Sequence, residues 1–389
     1  MERKTLLTLG AIAVLLILGG VYLLQVAKEL TQESTERETE RITREEVERI
    51  TNSVAGALAE EESSPRQAEG CALTPRPREF ASQPYYTGPL FDAHIHMPVA
   101  SKLVSTVAIQ AGFEDMPAFG ESLTLEFLGC LFASEGIRHV FGFYLMPNLV
   151  LGQAVRSVLE MEAAFPGMII PFFMPPPLHT LNPSPAEAKA IMTEHSGLFQ
   201  GYGEIAFEKG TFTGVSPEEP EFLEMYAFAG EQGLIVMMHP KEEQRDAVDR
   251  LLTRYSQVRF LLHGGDRGGW ILDVMEAHPN VYYSLDADMT YLYGSGPQHQ
   301  FRAQTKEEYL AYFRQNFEGL LEEAVERWKG GVDAHPDRFL WGTDRWYGWH
   351  FDSEVGGLLE EFGRSFIGQL APEVREKVAY QNAENLLER

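Results

Sequence analysis

From residue 90 to the end of the chain, short apolar runs alternate with longer segments whose apolar positions recur at helical spacing. Eight runs read as strands: 90–96 (LFDAHIH), 137–145, 167–174, 201–208, 233–239, 258–264, 280–287 and 338–344. HPN and HPD turns bound the last two. Between runs, 123–136 (LTLEFLGCLFASEG) and 218–233 (EEPEFLEMYAFAGEQG) suit amphipathic helices. The closing segment, 373–389, offers Val374, Val378 and Leu386 as its covered positions. Repeated strand–helix units predict a parallel sheet wrapped in helices. Eight units are what a closed (β/α)8, or TIM, barrel requires, and such barrels gather their chemistry at the C-terminal ends of the strands. A doubly wound sheet is the structural rival, but it would not readily converge side chains from strands one, four, five, six and eight.

The first 87 residues follow another pattern. Residues 6–27 (LLTLGAIAVLLILGGVYLLQVA) carry no charge and are long enough to cross a bilayer. Arg3 and Lys4 precede them, which favours an inside amino terminus and an exported remainder. A cleaved signal peptide is the rival; its apolar core would be shorter, and QVA before Lys28 is a poor cleavage site. Residues 28–70 mix charges of both signs with few apolar positions, as a solvated, partly helical stalk would. Pro75, Pro77, Pro84 and Pro89 then interrupt regular structure. The expected organisation is a membrane anchor over 1–27, a stalk and Pro-rich linker over 28–87, and a barrel over 88–389. The localisation expected is a single-pass membrane protein with its catalytic part on the extracytoplasmic side.

Composition narrows the function. A formal charge of -25 and a pI near 4.8 argue against a nucleic-acid surface, which needs basic residues to replace phosphate counterions. Hydrophobic residues make up 44% of the chain, ample for a large core. Cys71 and Cys130 are the only cysteines, too few for a disulfide scaffold or a thiolate cluster. One bridge and two separate thiols both remain open.

The candidate chemistry lies where the strands end. His94 and His96 are one residue apart on the first strand, so both can face the barrel axis. Imidazole suits zinc and other divalent metals. Asp92 shares their parity and could support one of the rings. Glu204 enters a buried strand, where a lone carboxylate is costly and a cation would compensate it. His239 and His263 close apolar runs; the ordinary alternative for each is a core histidine satisfied by one hydrogen bond. Asp344 follows FLWGT and is the best candidate for a general base and acid, with helix capping as the plainer reading. His94, His96, Glu204, His239, His263 and Asp344 thus form one candidate metal set, with Asp344 and His263 as the catalytic pair. Around the mouth, Arg267, Asp288, Tyr291, Arg345 and Trp346 are candidate substrate contacts, and Asp286, Tyr293, Tyr347, Trp349 and His350 lie nearby in sequence.

These motifs resemble the amidohydrolase superfamily, in particular its amidohydrolase-related and TatD-like branches, over about residues 88–389. His94-Ile95-His96 matches the first-strand HxH pair and Glu204 the fourth-strand ligand. His239 and His263 match the histidines of strands five and six, and Asp344 the eighth-strand aspartate. YQNAENLL, with Asn382 and Ala383, looks like the terminal NA motif of this group. The resemblance implies a hydrolase acting on an amide, ester, lactone or phosphoester of a small organic substrate, with one or two divalent ions, zinc foremost. A minority of such enzymes are single-metal decarboxylases, which supplies the alternative reaction. An anchored binding protein without catalysis is the remaining alternative, and the complete candidate set speaks against it. No nucleic-acid partner is expected, the bilayer would be met through residues 6–27, and an oligomer is left open.

Overall fold

Every strand expected from the sequence is present, and neighbours in sequence are neighbours in space. The computed structural model describes residues 76–80, 82–98, 123–148, 151–176, 182–207, 215–264, 269–286, 305–346 and 348–388. Within them one eight-stranded sheet runs β1 (Leu90–His96), β2 (Ile137–Leu145), β3 (Ile169–Met174), β4 (Gly201–Ile205), β5 (Ile235–Met238), β6 (Arg259–His263), β7 (Val281–Leu285) and β8 (Phe339–Trp341). All seven successive pairings are parallel. A parallel bridge between Ile95 and Arg345 joins the last strand to the first, with His96 N–H donating to the Arg345 carbonyl at 2.9 Å. The sheet therefore closes into the expected barrel. Strands four and eight stop earlier than the sequence suggests.

The crossovers are helical. They comprise α1 (Leu125–Glu135), α2 (Leu151–Ala164), α3 (Pro185–Glu194), α4 (Pro220–Gln232), α5 (Arg245–Arg254), α6 (Trp270–Ala277), α7 (Lys306–Ala334) and α8 (Ser353–Gln369). The chain ends in α9 (Pro372–Glu376), a π-helical turn over Lys377–Gln381, and α10 (Asn382–Glu388). Capping fixes several ends. Thr124 accepts the Phe127 N–H at the start of α1, and Gly136 closes that helix in the left-handed conformation at φ 69°. Ser184 and Glu187 form a capping box on α3, with Pro185 in its first turn. The Asn382 side chain donates to the carbonyls of Pro336 and Phe339, docking the carboxyl-terminal helices beneath β8.

Alternation along the strands sorts the apolar residues into two sets. Phe91, Phe141, Phe143, Ile170, Phe172, Met237, Leu261, Tyr282 and Leu340 pack together inside the barrel. Leu90, Val140, Ile169, Tyr202, Val236, Phe260, Tyr283 and Trp341 face the helices. By that same parity, residues 239, 263, 286 and 344 continue the inner rows of β5, β6, β7 and β8.

Glu79 and Phe80, in the proline-rich stretch before the barrel, pack against its helices. Glu361 accepts the N–H groups of Glu79 (2.9 Å) and Phe80 (2.7 Å), and the Phe80 ring stacks on Phe317 at 3.8 Å. Cys130, on α1, is disulfide-bonded. The chain's other cysteine, Cys71, the apolar stretch 6–27 and the stalk lie outside the described residues. Among the described residues, no helix is long and apolar enough to cross a membrane.

Candidate metal centre

Parity alone delivers three of the six candidate ligands. His239, His263 and Asp344 each follow an inward residue by two, or by two twice over, and so point to the axis at the strand ends. His94, His96 and Glu204 need more. The β1–β2 register shifts between Asp92 and Ile95, and the β4–β5 register shifts between Tyr202 and Ile205. Irregularities of this kind re-aim a side chain. In β4 the device is Gly203, at φ 118°, where a Cβ would run into the Met237 carbonyl. It lets Glu204 turn inward although Tyr202 faces the helices. Gly264, at φ 64°, likewise leaves room for the His239 ring, which a Cβ there would strike.

The six side chains converge. His96 Nε2 lies 3.1 Å from Asp344 Oδ1 and 3.3 Å from Glu204 Oε2. His94 Nε2 lies 3.6 Å from Asp344 Oδ1 and 3.7 Å from Glu204 Oε2. On the other side, Glu204 Oε1 is 2.8 Å from His263 Nε2 and 3.4 Å from His239 Nδ1. Every member is buried, at 8% exposure or less. Asp344 takes positive φ, 52°, a backbone state uncommon outside glycine.

A seventh residue belongs to the centre. Asp286 accepts from His94 Nδ1 at 3.0 Å and faces His263 Nδ1 at 3.4 Å. The sequence placed it only near the mouth; the inner row Tyr282, Ser284, Asp286 was the signal that locates it. Asp92, by contrast, supports no ring. Its carboxylate binds the His94 backbone N–H and the Thr343 N–H and hydroxyl, tying β1 to β8.

Electrostatically the centre calls for positive charge. Burial opposes ionisation of Glu204, yet the charge of His263 and the neighbouring ring nitrogens of His239, His263 and His94 hold its carboxyl well below the ordinary range. Burial likewise opposes, and His94 with His96 outweighs it, for Asp344, whose carboxyl is also lowered. His94 moves the other way, up to about 9, because Asp344, Asp286 and Glu204 overcome its burial. Three buried carboxylates would repel one another without such compensation.

The residues present fit a divalent cation. Groups drawn from His94, His96, Glu204, His239, His263, Asp286 and Asp344 offer donor atoms within 4.8 Å of one another. Tetrahedral coordination at 2.0–2.1 Å sets donors about 3.4 Å apart, close to the separations above. His94 Nε2 is buried without a hydrogen bond and faces the two carboxylate oxygens.

The candidate substrate contacts divide. Trp346 is buried with its ring against His96, centroids 5.6 Å apart, and its backbone N–H donates to His350 Nδ1. Arg345 departs from the expectation. It is wholly buried and pairs through two nitrogens with Glu135, at 3.1 and 2.8 Å, so it braces the barrel wall instead of meeting substrate. Its parity explains this, since the residue after inward Asp344 must face the helices. Arg267, Asp288 and Tyr291 lie outside the described residues.

Several solved structures are similar to this chain. A probable 2-pyrone-4,6-dicarboxylic acid hydrolase from Acinetobacter baumannii, with citric acid bound, is 12% identical, over 77% of this chain and 99% of that one, at a TM-score of 0.46. An amidohydrolase from Burkholderia multivorans with bound zinc is 14% identical over 77% and 99%, at 0.47. A TatD homologue from Escherichia coli is 13% identical over 77% and 98%, at 0.43. No curated protein sequence matches the chain. The amidohydrolase family model matches residues 91–389, a stretch that contains all seven residues of the centre, and the chain is therefore a member of the amidohydrolase family, a metal-dependent enzyme.

Proposed function

We propose that the enzyme is a hydrolase working with two divalent ions, zinc foremost, on an amide, ester, lactone or phosphoester of a small organic molecule. One observation carries the reading: Glu204 divides its two oxygens between two pairs of histidines, Oε2 toward His94 and His96, Oε1 toward His239 and His263. Such a carboxylate suits a bridge. His94, His96 and Asp344 would hold one ion with Oε2, and His239 and His263 the other with Oε1. A divalent ion supplies acidity to water and polarises the acceptor oxygen.

The protein's own groups do the rest. Asp344 takes the proton of the attacking water and returns it to the leaving group. Its lowered carboxyl keeps it ionised. Trp346, packed on His96, narrows the approach beside that strand and offers an apolar wall. If one ion suffices, held by His94, His96, His239 and Asp344, His263 is left to bind substrate or polarise water. Metal analysis of the purified chain, with a panel of esters, lactones, amides, phosphoesters and carboxylic acids, tests the reading. Two ions and hydrolysis support it; one ion with release of carbon dioxide overturns it in favour of a decarboxylase.

We also propose that residues 6–27 anchor the enzyme in a membrane with the barrel on the extracytoplasmic side. The uncharged stretch behind Arg3 and Lys4 supports this, as does the disulfide at Cys130, since such bonds persist in oxidising compartments. Carbonate extraction should leave the chain in the membrane pellet; release into the supernatant would reject the anchor.

A further inference from the structure

Asp286 has no ligand role in that reading, yet it touches both halves of the centre. It follows β7 in the inner row and is fully buried. Oδ2 reaches Nδ1 of His94, from β1, and Oδ1 reaches Nδ1 of His263, from β6. Those two rings lie nearly perpendicular, with centroids 4.4 Å apart, and one carboxylate spans them. Their opposite nitrogens face different oxygens of Glu204: His94 Nε2 faces Oε2 and His263 Nε2 faces Oε1.

A neutral imidazole donates through one nitrogen and accepts through the other. A carboxylate at Nδ1 therefore draws the proton there and leaves the Nε2 lone pair for the ion. Partners of this kind fix ring orientation and raise ligand basicity, and their loss typically weakens metal binding about 10–100-fold. We propose that Asp286 is a positioning residue that sets the tautomer of His94 and of His263 together, so that one side chain prepares both ion sites. This rests on the two-ion reading above.

The substitution Asp286→Asn separates the two rings. Its amide oxygen can accept from one Nδ1–H, but its NH2 faces the other ring as a donor, and that ring must present its lone pair at Nδ1, away from Glu204. One ion site should then weaken far more than the other, whereas Asp286→Ala should weaken both. Zinc titration of the full-length chain against a chelator reads this as a loss of about 10–100-fold per affected site. Cobalt absorption reports the changed ligand field, and circular dichroism checks the fold. A wild-type chain that takes up no ion overturns the metal reading and this inference with it. A wild type that binds, with both variants binding equally well, overturns this inference alone.

A second measurement needs no Asp286 variant. Ring 15N spectra of the zinc-loaded wild type, assigned with His94→Gln and His263→Gln, should show both rings protonated at Nδ1 and bound to metal through Nε2. A proton confined to Nε2 on either ring, or metal bound through Nδ1 of His94, would refute the assignment.

Discussion

Two residues, one on β4 and one on α2, show how a single position decides local chemistry. Gly203 has no side chain because the Met237 carbonyl occupies the place of a Cβ and because φ is 118°. Gly203→Ala must move the backbone that aims Glu204. The expected result is metal uptake and turnover reduced at least ~10-fold with the barrel still folded, since misplacing a ligand shell has that scale of cost. Full metal content and activity in the variant would show that Glu204 does not depend on the kink. Glu162, on α2, titrates instead of coordinating. It is 2% exposed, and burial pushes its carboxyl up to about 7 while the Gly167 N–H, bonded at 3.0 Å, partly opposes this. The folded protein therefore binds a proton that the unfolded chain releases near its ordinary value of 4.5. That contribution to stability is whole below 4.5 and is lost as pH rises through 7, by up to roughly 3 kcal/mol. Glu162→Gln keeps an oxygen for Gly167 and cannot ionise, so its melting temperature relative to wild type should rise between pH 5 and pH 8. A constant difference across that range would contradict the assignment.

At the scale of the element, the strands were legible and their irregularities were not. Apolar runs bounded by turns placed all eight strands, because a strand buried on both faces must be apolar throughout. Position at the strand ends then pointed to His239, His263 and Asp344, and alternation, which explains their inward aim, leads to Asp286 by the same count from Tyr282. Alternation misleads at Asp92, which has the parity of His94 but binds backbone and Thr343, since the β1 register shifts just beyond it. It was also not applied to Arg345, whose outward parity sends it to Glu135. That pair braces α1 against the β1–β8 seam, and Gly356 on α8 has no side chain because a Cβ would strike Glu135. Removing one partner leaves a buried charge uncompensated, at a cost of about 3–5 kcal/mol. Glu135→Ala should therefore lower the denaturation free energy by that amount. A loss below about 1 kcal/mol in urea unfolding would mean that water or another group solvates Arg345.

Across the whole molecule, stability and chemistry are built from different residues. The aromatic interior, Phe91, Phe141, Phe143 and Phe172, fills the barrel below the centre, and the backbone closure between β1 and β8 involves no ligand side chain beyond its main chain. Taking ions away should therefore leave the barrel standing. Histidine charge can replace cation charge, as the upward shifts of His94 and His263 indicate, so the centre is not stranded with three bare carboxylates. A ligand bound only by the folded state still adds stability of RT ln(1 + [L]/Kd), ~4 kcal/mol at a thousandfold excess over Kd. Chelation should then abolish turnover, lower the melting temperature by several degrees and leave the helical circular dichroism intact. Zinc should restore both activity and melting temperature, releasing protons as the histidines give up their charge. If chelation unfolds the chain outright, the ions hold the architecture together and the division between core and centre is wrong.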